Sequence, residues 1–153
     1  MKKIIFVLLA GGMLLCSSCS NKVATNIIGW WSIDSISYMN NDIKSCLLNN
    51  GLFFHDGDVI LPTTENYCDS NISTYINKGM WQIVDSNGRI ILDVKSGNQV
   101  FSQRFVVKFV KDGKNKLLKM ELMSSQVYIM CRKGLFSYDE ELINELVEKT
   151  TYD

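Results

Sequence analysis

Proline and histidine are nearly missing from this chain: Pro62 and His55 are the sole examples of each in 153 residues. A single proline scarcely interrupts backbone pairing, so extended strands can run through most of the sequence. A single histidine leaves no His pair for a metal and no base set beside a Ser or Cys nucleophile. A Gly-rich phosphate cradle is missing as well. The stretch His55-Asp56-Gly57-Asp58 has the spacing of a turn and lacks the further acidic ligands of a calcium loop. The chain is therefore expected to be no enzyme and to need neither metal nor cofactor.

Net charge is also lacking, with 16 basic and 16 acidic side chains. Setting Lys2 and Lys3 aside with the N-terminal segment leaves 14 against 16, or −2, which argues against nucleic acid as a partner. Arg104, Lys108, Lys111, Lys114, Lys116 and Lys119 still cluster in one region, while Asp139, Glu140, Glu141, Glu145 and Glu148 crowd the C-terminus. Such clusters read as solvated faces or as docking patches.

Long hydrophobic runs are absent except for Ile4 to Leu15. As a helix those residues reach about 18 Å, short of the roughly 30 Å apolar core of a bilayer. Led by two lysines and followed by Cys16-Ser17-Ser18-Cys19-Ser20, the run has the layout of a secretory signal. Its end resembles the lipobox of bacterial lipoproteins, with Cys16 standing where that family usually has leucine. The resemblance implies cleavage before Cys19 and acylation of that cysteine. More than one acyl chain gives stable anchoring without a span. Ser20, with no aspartate at that position, implies an outer-membrane destination in a Gram-negative bacterium, facing the periplasm. The expected organisation is a signal peptide over 1–18, a tether over 19–26 and a domain over 27–153.

An exported chain meets an oxidising compartment, where cysteines pair. Cys46 and Cys68 bracket a hairpin and are expected to form a disulfide. Closing that loop of about 22 residues removes roughly 3 kcal/mol of unfolded-state freedom. Cys131, in the apolar "VYIMCRK", is expected to be a buried free thiol.

Short alternating apolar runs recur through the rest of the chain: "WSIDSIS", "GLFFH", "VILP", "MWQIV", "RIILDV", "RFVVKFV", "KLLKMEL" and "QVYIMCR". Asp56-Gly57, Asn87-Gly88, Ser96-Gly97-Asn98 and Asp112-Gly113 separate several of them with residues that tolerate positive φ. This pattern suits an all-β sandwich or barrel, and hairpin connections with a closed sheet make a small antiparallel up-and-down barrel of about eight strands the expected fold. Alternation puts Phe105, Val107 and Phe109 on one face of their strand, and Leu118, Met120 and Leu122 on one face of the next. The period changes near the end, where Leu142, Ile143, Leu146 and Val147 form a stripe behind Ser137 and Glu140 in capping-box spacing. A C-terminal α-helix is expected there, its Leu142 and Leu146 able to cover Trp30.

Gly29-Trp30-Trp31 resembles the Gly-x-Trp signature of the lipocalins, and "GMWQIVDSNGRIILDV" with the strands after it is similar to small lipocalin-like bacterial lipoproteins. Those also carry a cysteine pair around a hairpin, matched here by Cys46 and Cys68 around Phe54, Asp56 and Gly57. The resemblance implies that Trp31 plugs one end of the barrel, with Gly29 beside it and Arg132 lying over the indole. Trp30, next in the chain, should face outward.

Two functions suit such a chain. In one, a lipid-anchored, non-enzymatic envelope protein takes a small hydrophobic ligand inside the barrel, lined by Phe105, Val107, Phe109, Leu118, Met120 and Leu122. In the other the barrel is filled, and the protein is a structural, protein-interaction or inhibitor module of the envelope.

Overall fold

A computed structural model describes residues 23–63, 76–86, 88–111 and 117–133. The strands are β1 (Gly29–Tyr38), β2 (Asn41–Asp42), β3 (Gly51–His55), β4 (Asp58–Ile60), β5 (Lys78–Ser86), β6 (Arg89–Ser96), β7 (Arg104–Lys111), β8 (Leu118–Met123) and β9 (Val127–Lys133). From β3 to β9 each strand pairs antiparallel with the next, and β1 pairs with both β3 and β9. Eight strands thus close into a barrel, and the two-residue β2 lies beside the far end of β1. Among the described residues, closure leaves no long unpaired edge, the hazard that a chain of so many short strands must avoid.

Local chemistry accounts for several connections. Asp56 and Gly57 both have positive φ, 38° and 85°, and join His55 to its partner Asp58 in a two-residue hairpin turn. Met39 and Asn40 do the same between β1 and β2. Ser96-Gly97-Asn98 differs from expectation: β6 and β7 are joined by a loop over residues 97–103, organised by a buried Asn98 rather than by a tight turn. Asn87 and Asp112-Gly113 lie outside the described residues, as does the expected C-terminal helix with Leu142 and Leu146.

The inward side chains form one core. Phe109, Met120, Cys131 and Ile33 sit side by side across four strands, and Val107, Leu122, Ile129 and Ile36 make a second such row. All eight are buried. A β-bulge at Asp34 keeps β1 in step with this core, because the shift between Ile33 and Ser35 changes the inward parity from Trp31 and Ile33 to Ile36. The bulged Asp34 is left on the outer side, where it accepts a bond from Arg132 Nε at 2.6 Å.

Both ends of the barrel are covered. At the end where β1 begins, a short helical turn over residues 23–27 contributes the buried Val23 and Ile27. The ordered fold therefore includes part of the expected 19–26 tether, since two apolar side chains four residues apart share one helical face and bury together. At the opposite end lie Ile43, Leu61, Val100 and Phe101, also buried.

Candidate functional site

The plugged end is built by β1, β9 and the helical turn. Trp31 is fully buried, its indole Nε1 donates to the Ile27 carbonyl at 2.7 Å, and its ring lies 6.3 Å from that of Phe109. Gly29 has φ +115°, a conformation that side-chain-bearing residues rarely adopt, so glycine starts this strand for backbone reasons.

The cation over Trp31 is Lys133 rather than the expected Arg132. Lys133 Nζ stands 5.3 Å from the indole centroid and also donates to the Asn26 carbonyl. Strand alternation explains the correction: Val127, Ile129 and Cys131 face inward, so Lys133 follows them over the plug while Arg132 turns out to Asp34. Burial holds the Lys133 ammonium below its ordinary pKa.

The six expected lining residues do come together. Phe105, Val107, Phe109, Leu118, Met120 and Leu122 are all buried, in a single cluster with Trp31, Phe54, Trp81 and Phe101. Cys131 is a free thiol in the same cluster, and its Sγ bonds the Met120 carbonyl at 3.3 Å. Burial, with a smaller push from Asp34, raises its pKa far above the ordinary thiol range. The sign of the linkage follows: the native thiol keeps its proton, the unfolded thiol loses it from about pH 9, and stability falls as pH rises beyond that. Between pH 8 and pH 10, urea unfolding is expected to show a loss about 1 kcal/mol smaller in Cys131→Ala than in the native sequence. Cys46 is disulfide-bonded. Cys68 and Cys19 lie outside the described residues.

Trp81 carries a feature that alternation did not reveal. Its ring meets Phe54 edge-on at 5.4 Å, and its Nε1 is buried with no hydrogen-bond partner among the described residues. A buried N–H without an acceptor is costly, and it marks a place where a polar atom could be accommodated.

The outer surface shows a second concentration of apolar side chains. Trp30, Phe53 and Ile60 are direct neighbours across β1, β3 and β4, and Met80 stands on β5 opposite Asp58. Trp30, Ile60 and Met80 are 48%, 42% and 62% exposed. A groove of about 280 Å³ adjoins Phe53 and Ile60, lined also by His55, Asp58 and Lys78. His55 is exposed, 3.9 Å from Asp56, and stacks on Phe53. Among the described residues, no group of three or more His, Cys, Asp or Glu side chains is placed to hold a metal ion.

Trp30 also covers backbone. A Cβ on Gly51 would stand 2.0 Å from Trp30 Cζ2, so the indole lies against the glycine of the neighbouring strand. Gly51→Ala is expected to cost about 1–3 kcal/mol by overpacking, and much less in a Trp30→Ala background. A double-mutant cycle in urea measures the difference.

Alternation reveals Trp31 and the six core residues, whereas the outer patch emerges only once β1, β3, β4 and β5 are side by side. Its signal in the sequence is the break of alternation in "GLFFH" and "VIL", where apolar residues occupy consecutive positions. Compared with known protein families, with curated proteins and with solved structures, the chain matches none.

Proposed function

We propose that this is a lipid-anchored, non-enzymatic module of the Gram-negative cell envelope, akin to the lipocalin-like lipoproteins, that works through its outer surface around a filled barrel. The observation that carries this reading is the contrast between the two sides of the sheet. The six interior candidates are buried in one packed cluster, while Trp30, Ile60 and Met80 stand exposed on neighbouring strands. Monomeric surfaces seldom gather large apolar side chains without an occupant. The anchor is Cys19, acylated after cleavage of the 1–18 signal and placed at the periplasmic face of the outer membrane. A Cys46–Cys68 disulfide completes the mature form.

A second reading retains the barrel as a carrier of a small hydrophobic ligand. The unpartnered Trp81 Nε1 favours it, since an acceptor on such a ligand would satisfy that donor. Native mass spectrometry of protein extracted from its own envelope separates the readings. A chain beginning at Cys19, carrying acyl groups and no other bound molecule, is the expected result. A retained small molecule would transfer the function to the interior, and an unacylated chain would remove the anchor.

A further inference from the structure

We propose that Trp30, Phe53, Ile60 and Met80 form a membrane-docking face, seated on the same leaflet that holds the acyl chains of Cys19. The inference rests on the lipid-anchored reading and adds an orientation to it. Trp30, Phe53 and Ile60 are direct partners across β1, β3 and β4, about 5 Å apart, and Met80 on β5 lies diagonal to Ile60, opposite Asp58. Outward positions on β7 and β8 are mixed: Lys108 faces Glu121 and Lys119 faces Val110 across the pair, beside Val106 and Met123. The large exposed apolar side chains of the strands thus gather on the β1–β3–β4–β5 side, with Asp58 and His55 at its edge.

The tether decides what the apolar side can reach. Val23 is buried in the barrel end where β1 begins, and only three residues separate it from Cys19. Four residue steps span at most about 14 Å, so that end is held against the bilayer surface. Trp30 is the second residue of β1, at the same end. An exposed indole there meets the headgroup region, where tryptophan is favoured. Lys78, opposite Ile60, and Lys95, opposite Met80, border the patch with long stems that can lie along apolar surface while their ammonium groups meet lipid phosphates.

The test uses tryptophan emission from the acylated protein in phosphatidylethanolamine and phosphatidylglycerol vesicles containing brominated phospholipid. Bromolipid is expected to quench the native protein and to leave Trp30→Phe unquenched, because Trp31 and Trp81 are buried. Ile60→Ser with Met80→Ser is expected to reduce the quenching severalfold. Equal emission with and without bromolipid would overturn the proposal. So would a Trp30 already shielded from aqueous acrylamide in lipid-free protein, which would give the patch to the acidic Leu142–Leu146 stripe or to another protein. A parallel sample, the chain from Cys19 coupled through that thiol to a maleimide lipid, separates the two claims. Quenching there, with no acyl groups on the native protein, defeats the anchor alone, whereas no quenching defeats the docking face alone.

Discussion

Replacing Trp31 with alanine is expected to lower the unfolding free energy by about 3–5 kcal/mol, while Trp30→Ala lowers it by less than about 1 kcal/mol. The two indoles are adjacent in the chain and differ only in the side of β1 they occupy. Removing the buried one leaves a cavity beside Phe109, an Ile27 carbonyl without its 2.7 Å donor and a Lys133 ammonium without its ring. Truncating the half-exposed one uncovers Gly51 and returns little apolar surface to water. Since domains of this kind are stable by only about 5–15 kcal/mol, Trp31→Ala should bring the midpoint of a urea transition close to the start of the titration. Trp31→Phe removes the hydrogen bond and only part of the packed ring, and should cost less than Trp31→Ala, about 2–3 kcal/mol. Similar losses from Trp30→Ala and Trp31→Ala would contradict the inward plug.

The second large effect is expected at Asn98, which has no charge and no exposed atom to draw attention to it. Its Nδ2 donates to the carbonyls of Pro62 and Ile76, both at 3.2 Å, and its Oδ1 accepts from the amides of Val100 and Phe101 at 3.2 and 3.4 Å. One fully buried side chain thereby ties the β6–β7 loop to the connection between β4 and β5 and holds Phe101 in the core. Asn98→Leu keeps the approximate volume and orphans these partners, at a cost of about 3 kcal/mol once the loops have relaxed. Amide exchange adds a local readout: Val100 and Phe101 should lose protection while the β7–β8 amides keep theirs. A loss below about 1 kcal/mol with unchanged protection would show that the loop is held by something else.

These two residues also mark how far the sequence can be read. Trp31, Phe105, Val107, Phe109, Leu118, Met120 and Leu122 are legible because strand alternation is a local property, and Asp56-Gly57 because its turn needs two positive φ angles. The all-β barrel follows from such signals repeated along the chain. What depends on non-local placement is not legible. The bulge at Asp34 passes for simple alternation in "WSIDSIS", since one extra residue leaves the composition unchanged. Lys133 was hidden behind Arg132, whose guanidinium is the better cation–π partner in isolation, although the parity of Cys131 already pointed to it. The partners of Asn98 lie 22 and 36 residues away, and no pattern in a single sequence joins them. The helical turn over 23–27 is too short for periodicity to register.

The filled barrel is the claim on which the outward-acting function depends. A high-resolution crystal structure of protein purified from its own membranes tests it most directly, by the electron density enclosed between Trp81, Phe105, Phe109 and Met120. Side-chain density alone, in contact across the interior, is the expected result. Ordered non-protein density with a polar atom within hydrogen-bond distance of Trp81 Nε1 would contradict it and make the interior the functional site.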